Sequence, residues 1–251
     1  MPRNSARAGD PVSLLALMWT PQQAVGRTGV TLAAITAAAV AVADADGLPA
    51  VTMRRVAQDV GVGAMTIYSY LPGRPELLEL MLDAVAAETY AGHPLPADHP
   101  GWRAGVEYLA RRNWEHHLRH RWMADIPPGR PILGPGVTMK YERELEPLDG
   151  IGLSDVAMDH LLTTVLGLVT QAARWQISLE RIRTESTLTD AQWWQLSEPV
   201  LSAALDPADV PIAGWVGETM SSAGEPLMSL EFGLRALLDG VAGMLEAGNP
   251  G

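Results

Sequence analysis

Apolar residues recur at helical spacing along most of the chain. Thr31 carries the side chain of a helix N-cap, and Leu32, Ile35, Ala39 and Val42 behind it share one face. Alanine-rich sequence favours helix here, and Asp46 with Gly47 ends it. A second amphipathic segment opens after Thr52, with Met53, Val56, Ala57 and Val60 in register until Gly61 stops it. A short segment at 64–70 precedes the breakers Pro72 and Gly73. Pro75 then suits the first turn of a longer helix to about residue 91, striped by Leu77, Leu78, Met81, Leu82 and Val85. The His- and Pro-rich stretch 92–101 closes it. Further helices are predicted at 102–119, 138–147, 154–178, 189–205 and 226–247, with Pro/Gly-rich breaks at 127–136 and 206–217. Alternating strand patterns and internal repeats are missing, so the predicted fold is all-α. Residues 1–27 show no sustained period and read as a flexible arm carrying Arg3, Arg7 and Arg27.

Composition narrows the picture. The 251 residues are 47% apolar and contain no cysteine, which excludes disulfides, thiolate metal sites and a disordered chain. The longest strongly apolar run, 161–169, is about half a bilayer span. No signal peptide is read at the N-terminus, so a cytoplasmic location without membrane contact is expected. A net charge of −11 argues against indiscriminate nucleic-acid binding. The acid is unevenly placed, however: residues 1–91 hold 6 basic and 8 acidic side chains, and residues 92–251 hold 12 and 21. Between 52 and 75 the charges are Arg54, Arg55 and Arg74 against Asp59 alone. A small basic surface on an acidic body can select DNA while rejecting non-specific contacts.

The stretch 52–71 has the logic of a helix-turn-helix. Two helices that cross steeply need a small residue at their contact, which Ala57 supplies, and a tight turn, which Gly61 permits. Val56, Val62, Ile67 and Leu71 are the inward anchors. That leaves Ala64, Met65, Thr66, Tyr68, Ser69 and Tyr70 to face a groove, where hydroxyls suit phosphate oxygens and Ala or Met can meet a thymine methyl.

With these residues in order, the chain resembles the TetR family. An Ala-rich first helix, Thr52-x-Arg54-x-x-Ala57-x-x-x-Gly61-Val62, then Thr66-Ile67-Tyr68-x-Tyr70, then a basic residue opening a long helix, all fall between Leu32 and Leu78. The resemblance implies that Thr52, Thr66, Tyr68, Tyr70 and Arg74 touch phosphates, and that Arg54 and the Ala64/Met65 edge read bases. Pro72-Gly73-Arg74 departs from the two lysines common in the family. The Trp102 region, Arg119-His120-Arg121-Trp122, Gly134-Pro135-Gly136 and Gly152-Leu153-Ser154 look like a tetracycline-repressor type of C-terminal domain. The implied organisation is a helix-turn-helix domain at 28–74 and a ligand-binding and dimerisation domain at 75–251. The implied function is that of a transcriptional regulator, a repressor released from double-stranded operator DNA by a small-molecule effector. Leu109, Pro127, Pro131 and Leu168 stand where polar tetracycline contacts would, so a more apolar effector is expected. Its pocket is predicted between the helix at 74–91 and those at 102–119, 138–147 and 154–178. Tyr90, Leu109, Trp114, Met123, Met139, Leu168 and Trp175 would line it, with Asn113 or Glu144 as polar anchors. The segments 154–178 and 226–247 are expected to pair with a second copy into a four-helix homodimer interface.

Other chemistries are weaker. His116 and His120 lie one helical turn apart, but two histidines alone do not hold a metal, and no metal site or cofactor is expected. Glu142, Glu144, Glu146, Asp149, Asp155 and Asp159 do not converge into a general acid/base pair, and no phosphate loop or nucleophile elbow is present. Catalytic residues are therefore not assigned. A helical enzyme and a helix-turn-helix protein without ligand gating are the alternatives, separable by substrate turnover and by bending of DNA with little sequence preference.

Overall fold

The computed structural model describes residues 10–20, 22, 24–25, 29–127, 129–206, 208–220 and 224–248. Helices dominate: α1 (Pro11–Met18), α2 (Leu32–Asp46), α3 (Met53–Asp59), α4 (Ala64–Tyr68), α5 (Arg74–Glu88), α6 (Gly101–Arg119), α7 (Pro135–Leu145), α8 (Asp155–Glu185), α9 (Asp190–Ala204), α10 (Pro211–Met220) and α11 (Pro226–Glu246). The only strands among the described residues, β1 (Ala24–Val25) and β2 (Val30–Thr31), form a two-residue antiparallel ladder.

Two apolar cores organise these helices. The first gathers α1 to α4 with the front of α5. Leu77, Leu80, Met81 and Val85 of α5 lie in it, as does Trp122 from the turn after α6. At about 1.5–3 kcal/mol for each fully buried aliphatic side chain, these four fasten α5 firmly to the helix-turn-helix. Packing therefore runs across the division expected after Arg74. The second core joins Tyr90 to α6, α8 and α11. Here α8 buries Leu161, Leu162, Val165 and Val169, while α11 buries Leu230, Leu234, Leu238 and Val241.

Between the cores, α5 and α7 approach closely. Asp83 of α5 is 7% exposed, and its carboxylate accepts a hydrogen bond from the Val137 amide at 2.9 Å, satisfying one orphan donor at the start of α7. A Cβ on Gly136 would stand 2.9 Å from the Asp83 carbonyl carbon and closer still to its oxygen, so only glycine allows this approach.

Several expectations change. Residues 11–18, assigned to a flexible arm, form α1 instead: Asp10 caps it, and Leu14, Leu17 and Met18 enter the first core. Arg3, Arg7 and Arg27 lie outside the described residues. Helix α10 occupies most of the break expected at 206–217, α7 begins at Pro135 within another expected break, and α8 runs on to Glu185. By length and composition α8 is also the one described helix that could cross a bilayer, but one face of it packs on α6 and α11.

Candidate functional site

Local chemistry shapes the helix-turn-helix. The Thr52 hydroxyl accepts from the Arg55 amide at 3.1 Å, capping α3. Gly61 adopts φ +70°, and the Val62 amide then reaches back to the Ala57 carbonyl at 2.9 Å, closing the turn. Val56, Ile67 and Leu71 are fully buried and Ala57 nearly so, as their spacing requires. With Ile67 pinned inward, α4 turns Met65 and Tyr68 to solvent, 79% and 46% exposed. Thr66 is half-buried beside them, and Ala64 packs partly against the core. Arg55 is engaged with Asp59 at 3.1 Å and Asp46 at 3.5 Å. Exposed Arg54 makes no ion pair among the described residues and remains the available cation of this surface.

Two members of the expected DNA set are placed differently. Tyr70 is 4% exposed and belongs to the first core, because the chain turns inward after α4 towards Leu71. Arg74 donates from Nε to the Val51 carbonyl at 2.9 Å and from Nη2 to the Leu48 carbonyl at 2.7 Å. Its guanidinium satisfies the turn before α3 and ties it to the start of α5, so it acts here as a positioning residue.

The expected effector residues divide into groups. Tyr90, Leu109 and Trp114 meet in the second core, and Asn113 is buried beside them. Glu144 of α7, 1% exposed, is their polar centre. Its Oε1 accepts from the Tyr90 hydroxyl at 2.7 Å and from Asn113 Nδ2 at 2.6 Å, while Oε2 meets Lys140 Nζ at 2.7 Å. Asn113 Nδ2 also donates to the Leu109 carbonyl at 2.9 Å. Burial and the adjacent carboxylate raise the Tyr90 pKa, so the phenol stays protonated and donates. Lys140 was not expected, although its i, i+4 spacing to Glu144 is a readable signal.

Three residues stand apart, while Leu168 packs partly against the second core. Met123 packs partly against the first core. Met139 is 49% exposed on the outer side of α7, lining a groove between α2 and α5. Leu168 faces Gly233 of α11. Trp175 is 38% exposed and lies against Gly224. On α8, Leu168 and Trp175 lie towards α11 and the segment before it.

On the far side, α11 exposes Met228 (58%), Phe232 (73%) and Met244 (53%), with Gly240 and Gly243 between the last two. Beside them α8 exposes Thr163, Thr164, Gly167 and Gln171. Among the described residues no group of three possible metal ligands converges. His116 and His117 are instead shifted down to about 3 and about 4, chiefly by burial and then by nearby positive groups, so both are neutral near pH 7.

A small DNA-facing helix pair, fastened to a larger helical body with a buried polar centre, defines a DNA-binding transcriptional regulator. The chain belongs to the TetR family: residues 35–81 match the family model for bacterial regulatory proteins of the tetR family, and residues 95–245 match that for the tetracyclin repressor-like C-terminal domain. It is 34% identical over 237 residues to the HTH-type transcriptional repressor DrrR1 of Streptomyces coeruleorubidus, covering 93% of this chain and 86% of that one. Its fold is similar to that of the TetR family protein ActR of Streptomyces coelicolor. In complex with (S)-DNPA, ActR superposes with a TM-score of 0.67 at 29% identity, over 85% of this chain and 96% of its own. In complex with actinorhodin the TM-score is 0.70 at 26% identity, over 86% and 97%. These relatives are regulators of transcription, not enzymes.

Proposed function

We propose that the protein is a homodimeric repressor that holds a near-palindromic operator through α4 and leaves it when a small, largely apolar effector binds the C-terminal domain. The reading rests on one observation above all: Met65 and Tyr68 are exposed on a helix whose opposite face is sealed by Ile67. Two-fold symmetry would place two copies of α4 in successive major grooves, about 34–36 Å apart or somewhat more. Thr52, Thr66 and Tyr68 hydroxyls suit phosphates, while Arg54, Ala64 and Met65 are placed to read base edges. The protomers would join through the exposed faces of α8 and α11, where glycines permit close approach and Phe232 supplies an anchor.

The effector region would centre on Tyr90, Leu109, Asn113, Trp114 and Glu144. The complexes of ActR with (S)-DNPA and actinorhodin support a small-molecule effector in the corresponding domain. An incoming molecule would exchange hydrogen bonds with Glu144 and move the end of α5, whose other end abuts the helix-turn-helix. A coupling of about 1–3 kcal/mol would change DNA affinity roughly 5–150-fold. Such a regulator works in the cytoplasm and needs neither a cofactor nor a membrane.

The test begins with an operator selected from random DNA by the purified protein. Arg54→Ala should relax preference at one base pair of each half-site, and Tyr68→Phe should weaken binding without changing preference. Unchanged binding by both variants overturns the assignment of this face.

A further inference from the structure

A groove of about 550 Å³ lies outside both the DNA-facing surface and the Glu144 cluster, where α2 of the helix-turn-helix domain faces α5 and the start of α7. Its walls are unusually flat. Ala33, Ala37 and Ala41 follow one face of α2 at i, i+4, i+8, and Ala84 and Ala87 oppose them from α5. These short side chains leave a slot between two helices, suited to a planar apolar body, and its volume is within the range of small-molecule sites.

One end of the slot is polar and incompletely satisfied. His120 lines it at 1% exposure. Its Nδ1 is 2.9 Å from Asp44 Oδ1, which also accepts from Trp122 Nε1 at 2.7 Å. In the tautomer that donates Nδ1–H to this carboxylate, Nε2 is an acceptor. That Nε2 is buried and has no hydrogen-bond partner. Glu88 Oε2, another acceptor, lies 3.8 Å from it. Glu88 in turn reaches Arg119 only at 3.9 Å, and the Arg119 side chain is 72% exposed. In that tautomer the ring nitrogen and the Glu88 carboxylate are both acceptors, and the buried, unpartnered Nε2 calls for a donor. A single nitrogen with two or more N–H bonds can serve both; a hydroxyl, with one proton, can serve only one.

We propose that this groove is a second ligand site, for a flat apolar molecule bearing a primary amine. The ring system lies between the alanine faces of α2 and α5, and the ammonium bridges Glu88 and Nε2 of His120. Asp44 and Asp83 add negative charge and favour a cation over an anion, although Arg143 also lines the opening. The site is distinct from the effector region above and does not depend on it.

The probe is 1-naphthylmethylamine, compared with 1-naphthalenemethanol by equilibrium dialysis against the full-length protein without DNA. The amine should bind about tenfold or more tightly than the alcohol, as expected for a charge-assisted contact. Glu88→Gln, on an exposed side chain, should bring the two within about threefold of each other. Ala37→Trp fills the slot from an exposed helix position and should weaken both by about tenfold or more, with an unchanged circular dichroism spectrum. Ala37 lies outside the second core, so a probe held at the Glu144 cluster would be indifferent to this variant. Equal binding of amine and alcohol to the parent protein, retention by Ala37→Trp, or no binding at millimolar probe each overturns the proposal.

Discussion

Gly136→Ala should damage the regulator through a contact far from DNA. The added methyl would sit 2.9 Å from the Asp83 carbonyl carbon and 3.2 Å from the Ala87 nitrogen. Carbon atoms settle at about 3.5–4.0 Å and the Asp83 oxygen lies closer still, so α7 must retreat from α5 by at least about 0.6–1.1 Å. Backbone on both sides leaves no flexible side chain to yield. Overpacking of this kind costs about 1–3 kcal/mol, and retreat also stretches the 2.9 Å bond from Val137 to Asp83. For a chain of this size that corresponds to a fall in Tm of roughly 2–12 °C. The second consequence is functional. Because α5 is fastened to the helix-turn-helix by four buried side chains, a displaced α5 carries α4 with it, and operator affinity should fall by more than unfolding explains. Urea denaturation and fluorescence anisotropy on the selected operator measure the two effects. A variant within about 0.5 kcal/mol of the parent and with parental DNA affinity would refute the claim that α5 and α7 are locked at this point.

Three further outcomes are expected. Phe232→Glu should give a monomer by analytical ultracentrifugation while preserving helicity, since the side chain is 73% exposed in the protomer; a dimer that survives it removes α11 from the interface. Glu144→Ala should cost about 3–5 kcal/mol, because it strands the buried Asn113 and Tyr90 donors and the half-buried Lys140 ammonium, whereas Tyr90→Phe should cost about 1 kcal/mol; equal losses would contradict a network centred on the carboxylate. Acid should destabilise the protein through His116 and His117. Their folded pKa values, about 3 and about 4, lie below the ordinary 6.5, so their contribution is complete above pH 6.5 and is lost as pH falls. Each should forfeit about 2 kcal/mol by pH 5, with urea midpoints at pH 7.5 and pH 5 as the measure and His116→Gln reducing the difference; a midpoint independent of pH would exclude this role.

The helix-turn-helix was legible because its determinants are local: Thr52 caps, Gly61 turns, and Val56, Ala57 and Ile67 point inward by spacing alone. The placement of Tyr70 and Arg74 was not legible, because it is set by distant partners. Nothing near Arg74 in the sequence indicates that the Leu48 and Val51 carbonyls need its donors, and nothing near Tyr70 indicates that the chain turns inward there. Helix α1 escaped notice because eight residues between prolines and glycines are too few to display a period. Asn113 and Glu144 could be chosen as buried polar residues, but their pairing across α6 and α7 is a product of folding. The α2–α5 slot is invisible along the chain, since an alanine stripe reads equally well as helix propensity.

The two hydrogen bonds from Arg74 to the 48–51 turn have a geometric consequence. They tie the root of α5 to the helix-turn-helix, so in the proposed release α5 would work as a lever rather than as a hinge with a loose head. Its 15 residues span about 22 Å. A tilt of about 5° at the Glu88 end would therefore displace the Arg74 end by about 2 Å, and in the proposed homodimer opposite tilts of the two protomers would alter the gap between their reading heads by about 4 Å, more than one 3.4 Å base-pair step.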